Sequence, residues 1–302
     1  MNSLQKLKIL KTELVADTGD IKLIKKYKPL DVTTNPSLIL SLCNDPEYKH
    51  LLSKNGDLEE TIVNFGCEIY KEIDGYVSTE VNPLYSFDKD KTIELSLKIV
   101  ELYKKRGIDT DRILIKIAST WEGIKAAEIL EKDHNIKCNM TLIFSIEQAM
   151  MCGESNVTLI SPFVGRIYDW YKENNPEINE DMGVKNVKDI YNLYKKNNYK
   201  TIIMGASFRN TNQIKKLAGL DKLTISPKLI EDLQNDDDVN FDIDLTSTND
   251  KNLIEKINKD DMTSEWFYNS ISKNEMANSK LNEGIDKFIF DTDKVRLQME
   301  NL

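Results

Sequence analysis

Apolar positions along the chain follow two alternating spacings. Eight short β-rich runs recur: ELVAD (13–17), DVTTN (31–35), GYVSTEV (75–81), ILIKIAS (113–119), KCNMTLIF (137–144), VTLISPF (157–163), TIIMGAS (201–207) and KLTISP (222–227). Between them lie stretches such as EGIKAAEILEKD (122–133) and DIYNLYKKNN (189–198), with apolar residues three and four apart and charges on the other face, the signature of amphipathic helix. Strand alternating with helix implies parallel strands. Eight such units predict an α/β fold, a closed (β/α)8 TIM barrel, here as one domain over 1–302. Residues 171–187 and 232–252 are polar and break the rhythm, and we assign both to surface excursions. The stretch SKLNEGIDKFIFDTDKVRLQM (279–299) predicts a C-terminal helix packed across the barrel, with Leu281, Ile285, Phe288 and Ile289 on one face.

Composition narrows the class without changing that picture. Of 302 residues 40% are hydrophobic and 30% charged, with only 12 Gly and 7 Pro, which describes a folded chain able to build a large core. The formal net charge is −9 with no basic counter-block, which argues against nucleic acid and against an anionic membrane surface as partners. No window approaches the roughly 18 apolar residues of a membrane span, and the start MNSLQKLKILKTEL has no apolar signal region, so the expected location is cytoplasmic. Cys43, Cys67, Cys138 and Cys152 are far apart and read as free, mostly buried thiols of a reducing compartment. The acidic run Asp236, Asp237, Asp238 lacks the glycine of a calcium loop, Phe241 standing in its place, and reads as a solvated loop. The two Asn-x-Thr triplets, at Asn139 and Asn156, are chance matches to the glycosylation pattern.

In such a barrel chemistry sits at the carboxyl ends of the strands, and nearly all of these end in polar groups. They carry Asp17, Asn35, Glu80, Lys116, Asn139 with Thr141, Ser161 followed by Arg166, and Ser207 with Arg209. Each has an ordinary structural reading alone. Asp17 and Asn35 fit turn and helix-cap positions, the arginines fit surface ion pairs, and Glu80 fits the solvated face of a strand. Seven such tips directed at one mouth are better explained as a site.

Lys116 stands out because nothing nearby in ILIKIASTW balances its charge. A lysine in an apolar run is most often a gatekeeper on an exposed edge. Here the spacing of Ser119 and Glu122 suggests a helix start directly after the strand, which places Lys116 in a parallel sheet covered on both faces. It shares its face with Leu114 and Ala118, which we assign to the barrel interior. Burial and nearby cations both favour a neutral amine, the form that attacks a carbonyl and makes a Schiff base. Glu80 and Thr141 then suit the holding of a water, Asp17 suits proton transfer at a cleaved carbon–carbon bond, and Arg166 and Arg209 with Ser207 suit a phosphate. The substrate class is a phosphorylated polyhydroxy carbonyl. There is no GxGxxG, GxxxxGK[ST] or HExxH, and His50 and His134 lie away from any candidate nucleophile.

These segments resemble the transaldolase family, in its longer type. DVTTNPSLI (31–39) and ILIKIASTWEGIKAAEIL (113–130) are similar to two family signatures, and VADTGD, VSTE, CNMTLIFS, ISPFVGRI, MGASFRN and LTISPKL follow in matching order, from about Leu14 to the C-terminal helix. The resemblance implies a TIM barrel, frequently a homodimer, working without metal or cofactor in the pentose phosphate pathway. It implies Lys116 as the Schiff-base lysine, Asp17 as acid/base, and Glu80 with Thr141 on the catalytic water. Asn35, Asn139 and Ser161 would bind the dihydroxyacetone hydroxyls, Phe163 would line the substrate, and Arg166, Ser207 and Arg209 would hold the sugar phosphate. The implied reaction moves dihydroxyacetone from sedoheptulose 7-phosphate or fructose 6-phosphate to glyceraldehyde 3-phosphate or erythrose 4-phosphate. Related aldolases that cleave without transfer tend to be shorter, with glutamine at the place of Glu80 and tyrosine at the place of Phe163. A non-catalytic sugar-phosphate binder would have lost a Lys, Glu or Asp of the set. One departure stands after VSTE: an acidic residue and an arginine usually follow closely, whereas this chain continues VNPLYSFD (81–88).

Overall fold

The computed structural model describes residues 1–241, 243, 245 and 256–300. All eight predicted strands form: β1 (Glu13–Asp17), β2 (Asp31–Thr33), β3 (Val77–Glu80), β4 (Ile113–Ala118), β5 (Cys138–Ile143), β6 (Leu159–Pro162), β7 (Ile202–Gly205) and β8 (Lys222–Ile225). They follow one another in chain order around a closed barrel. Seven stop one or two residues before the end of the apolar run, and four of these also start one or two residues late. The cause is visible at Asn35 and Ser226, which leave the extended runs to occupy the N-cap positions of the next helices.

By compactness the chain divides into two units, Val15–Asn139 with Glu283–Leu302 and Met1–Leu14 with Met140–Asn282. In the first, the ladders run Val15↔Asp31 to Asp17↔Thr33, Val32↔Val77 and Thr33↔Ser78, and Val77↔Ile113 to Glu80↔Lys116. Every residue of β4 is buried, as a parallel strand covered on both faces requires. The helix Trp121–His134 that follows is capped by Thr120, whose Oγ1 accepts from the Gly123 amide at 2.9 Å. The cap therefore lies one residue beyond the predicted Ser119.

The C-terminal helix is present as Glu275–Glu300, and Leu281, Ile285 and Phe288 are buried on it while Ile289 is half-buried. In its last turns Val295 and Met299 join a core cluster with Ile39, Leu42, Tyr48, Leu51 and Phe65. Each fully buried aliphatic side chain there contributes on the order of 1.5–3 kcal/mol. Asp291 on the same helix accepts from the Ser37 hydroxyl and pairs with Lys287 at 2.9 Å. Ser37 belongs to the helix Pro36–Cys43 that Asn35 caps.

In the second unit the ladders run Leu159↔Ile202, Ile160↔Ile203, Met204↔Lys222 and Gly205↔Leu223, with an extra bridge Phe163↔Ala206. Residues 171–187 are not the excursion expected from their polarity. Helix Val164–Asn174 covers the start, and helix Met182–Lys196 covers the end, begun by Asp181 accepting from the Val184 amide at 3.0 Å. Val184, Val187, Ile190 and Leu193 fall on its buried face, a stripe that the preceding charges obscure. Of the second polar run, 232–234 end the helix Pro227–Gln234, while 242, 244 and 246–252 lie outside the described residues. Asp236 and Asp238 pair with Lys215 at 2.7 and 3.2 Å, so the acidic run is bound to a lysine within its own fold.

Candidate active site

In the first unit, Glu80 and Lys116 close the β3–β4 ladder side by side. Paired residues of a parallel ladder project to the same face, so the register hands the lysine a carboxylate. Lys116 Nζ donates to the Thr34 carbonyl at 2.9 Å and lies 3.1 Å from Glu80 Oε2. The two side chains are 5% and 4% exposed. The charge that nothing in ILIKIASTW balances is thus met from the neighbouring strand, a correction to the local reading. Nor is Glu80 on a solvated face. Such a pair is costly to desolvate and costly to break, and its proton can pass between nitrogen and oxygen without rearrangement.

Around it, each predicted neighbour is held. Thr33 Oγ1 donates to Asp17 Oδ1 at 3.1 Å across the β1–β2 ladder. Asn139 is buried on β5 and donates from Nδ2 to Ser78 Oγ at 3.1 Å. Asn35 caps its helix, accepting from the Leu38 amide at 3.0 Å. The run VNPLYSFD makes a compact turn behind Glu80. The Val81 amide donates to the Lys116 carbonyl at 3.0 Å, Asn82 Oδ1 accepts from the Leu84 amide at 3.1 Å, and Pro83 opens a 3-10 turn where its missing N–H costs nothing. A cavity of about 20 Å³, room for one water molecule, borders Thr34, Asn35, Glu80, Asn82, Pro83 and Thr292.

The second unit carries the remaining predicted residues. Thr141 is buried on β5, and Ser161 at the end of β6 donates to the Met140 carbonyl at 3.3 Å. Phe163 packs edge-on against Phe144, ring centroids 5.7 Å apart, and the Arg166 guanidinium lies 5.0 Å from the centre of its ring. Beyond β6 and β7 two turns are stitched together. The amides of Val164 and Gly165 donate to the carbonyls of Ala206 and Ser207 at 2.9 and 2.8 Å. A Cβ on Gly165 would sit 2.1 Å from the Ser207 carbonyl oxygen, so glycine is required there. Ser207 itself adopts a left-handed φ of 60°, a conformation a serine holds only when its surroundings enforce it. Arg209, 41% exposed, is paired with Asp169 through Nε and Nη2, at 2.8 and 2.7 Å.

The structure thus brings Asp17, Asn35, Glu80, Lys116 and Asn139 into one unit, and Thr141, Ser161, Phe163, Arg166, Ser207 and Arg209 into the other. Sequence reasoning missed Thr33, Thr34, Ser78 and Asp169. Thr33 and Ser78 sit at ladder partners, a signal available once register is known; Thr34 acts through its carbonyl, and Asp169 lies 40 residues from its partner. The four cysteines form no disulfide and are buried, as expected. Burial pushes the Cys43 thiol up to about 12 and the Cys138 thiol well above its ordinary value, which holds both in the protonated, weakly nucleophilic form. Among the described residues no group of three His, Cys, Asp or Glu is placed to hold a metal ion, and no helix is long and apolar enough to cross a membrane.

Residues 14–299 match the family model described as Transaldolase/Fructose-6-phosphate aldolase. The chain is 49% identical over 322 residues to a protein named "Probable transaldolase" in Drosophila melanogaster, covering 100% of this chain and 95% of that one. It is 50% identical over 307 residues to "Transaldolase" of Rattus norvegicus, covering 94% and 89%. A "Transaldolase" of Prochlorococcus marinus is 48% identical over 311 residues, covering 95% and 90%. With Lys116 buried against Glu80 at the strand ends and likeness running almost from end to end, the chain belongs to the transaldolase/fructose-6-phosphate aldolase family.

Proposed function

We propose that this protein is a transaldolase, a transferase that moves a dihydroxyacetone unit from a ketose phosphate to an aldose phosphate through a Schiff base on Lys116. The observation that carries the reading is the buried Lys116–Glu80 pair at 3.1 Å. Glu80 takes the ammonium proton, and the amine so freed adds to the C2 carbonyl of sedoheptulose 7-phosphate or fructose 6-phosphate. Loss of water gives the iminium, with Glu80 and Thr141 holding the departing and returning water. Asp17 removes the C4 hydroxyl proton, the C3–C4 bond breaks toward the iminium, and the aldose phosphate leaves. The retained three-carbon enamine then adds to the aldehyde of glyceraldehyde 3-phosphate or erythrose 4-phosphate, and hydrolysis returns the lysine. Asn35, Asn139 and Ser161 bind the hydroxyls of the retained unit, Phe163 lines the substrate, and Arg166, Ser207 and Arg209 take the phosphate.

Glu80 and Phe163 favour transfer over simple cleavage, for which glutamine and tyrosine would be expected. The reading places the enzyme in the non-oxidative pentose phosphate pathway of the cytoplasm, as a homodimer. The test is turnover of fructose 6-phosphate with and without erythrose 4-phosphate, combined with borohydride trapping. Acceptor-dependent turnover and a reduced adduct on the Lys116 peptide are expected. Equal turnover without acceptor would point to an aldolase, and an active protein with no adduct on that peptide would overturn the Schiff-base reading.

A further inference from the structure

Leu142, the last residue but one of β5, has φ 57°, and no other described non-glycine residue inside a strand has a positive φ. A leucine does not adopt the left-handed region on its own, and a strand does not accept it without losing ladder geometry. Something must hold it there. The holder is Gln148, fully buried on the helix Ile146–Glu154. Its Nε2 donates to the Leu142 carbonyl at 3.0 Å, and its Oε1 accepts from the amides of Phe144 at 2.8 Å and Ser145 at 3.1 Å. One side-chain amide therefore serves three backbone groups on either side of Ile143, as β5 ends. Gln148 is itself fixed, since its amide donates to Ser145 Oγ at 3.2 Å in a reciprocal cap.

The residue immediately before the distortion is Thr141. Along a regular strand residues 139, 141 and 143 share a face, and a left-handed residue at 142 ends that alternation and sets the direction of what precedes and follows it. We infer that Gln148 is a positioning residue for Thr141: by pinning Leu142 in the left-handed conformation it aims the Thr141 hydroxyl. This rests on the reading of Thr141 as a holder of the catalytic water. Gln148 touches no substrate in this account and acts through the backbone of 142–145.

The test measures kcat and KM for fructose 6-phosphate, with erythrose 4-phosphate as acceptor, in Gln148→Met, Thr141→Ala and the double variant. Gln148→Met keeps the length and removes all three bonds. The expected result is a kcat lower by about 10- to 100-fold with KM within about threefold. In the Thr141→Ala background the same change should lower kcat by less than about twofold, because the group it aims is gone. A loss of equal factor in both backgrounds overturns the inference, as does an unaffected kcat. If Thr141→Ala itself leaves kcat unchanged, the role of Thr141 and the inference fall together, while borohydride trapping on Lys116 reports the Schiff-base reading separately. Gln148→Glu decides the matter should the methionine variant not fold. Its carboxylate cannot donate to the Leu142 carbonyl, whereas its protonated form can. Burial raises such a carboxyl, so the ratio of its kcat to that of the unsubstituted enzyme should climb as pH falls from 8 to 5. A ratio that stays flat overturns the inference.

Discussion

The lysine of β4 and the arginines beyond β6 and β7 carry the same formal charge in opposite surroundings. Lys116 is nearly inaccessible and has both a carboxylate and a carbonyl within 3.1 Å. Arg209 is 41% exposed and leans on a carboxylate of similar exposure. On the proposed mechanism the difference follows from what each would do. A nucleophile that makes and breaks a covalent bond needs a fixed direction and a partner for its proton, and burial supplies both. A guanidinium that takes the sugar phosphate, as proposed for Arg209, would exchange its anion every cycle and has to stay reachable. In water a pair such as Arg209–Asp169 is worth no more than about 1 kcal/mol, little enough for an incoming phosphate to replace it.

The comparison can be broken most severely at Lys116. Lys116→Met should abolish the borohydride-trapped adduct and lower turnover by more than the about 10²- to 10⁴-fold that proton transfer alone supplies. Glu80→Gln comes next: the amide keeps the shape but cannot take the proton, and kcat should fall by about 10²-fold or more with a small change in KM. Its pH–rate profile, measured beside that of the unsubstituted enzyme, should lose one limb. Arg209→Ala tests the other side. It should raise KM for the sugar phosphate by about 10- to 100-fold, the worth of a charge-assisted bond, and leave kcat nearly unchanged. If Arg209 binds the phosphate as proposed, the KM of the unsubstituted enzyme should also rise with ionic strength while kcat holds steady, because Arg209 is exposed to screening ions and Lys116 is not. Smallest of all is Asp169→Asn, expected to change KM by less than about fivefold in steady-state assays. A kcat effect at Arg209 or Asp169 as large as that at Glu80 would erase the contrast.

How much of this was legible beforehand depends on distance along the chain. The strand–helix rhythm is local, and all eight strands fell inside the apolar runs. Lys116 was visible because a single charge interrupts six buried positions. The carboxylate that meets it was not assigned to it, since Glu80 lies 36 residues away and only ladder register joins them. The same holds for Asp169 with Arg209. At Asp181 the difficulty was composition: a polar, irregular run hid the cap of a helix whose apolar stripe begins only afterwards. Thr120 displaced Ser119 as a cap by one residue, which lies within the latitude that serine and threonine share at helix starts.

Gly165 offers a last point. The 2.1 Å between its absent Cβ and the Ser207 carbonyl means that even alanine would wedge apart the two turns that carry Arg166 and Arg209. In a saturation scan read by turnover of fructose 6-phosphate with erythrose 4-phosphate, position 165 should therefore look as intolerant as either arginine, although it brings no functional group. Maps of mutational sensitivity that are read only as maps of chemistry would take it for a contact with substrate. What they would be recording is the absence of a methyl group.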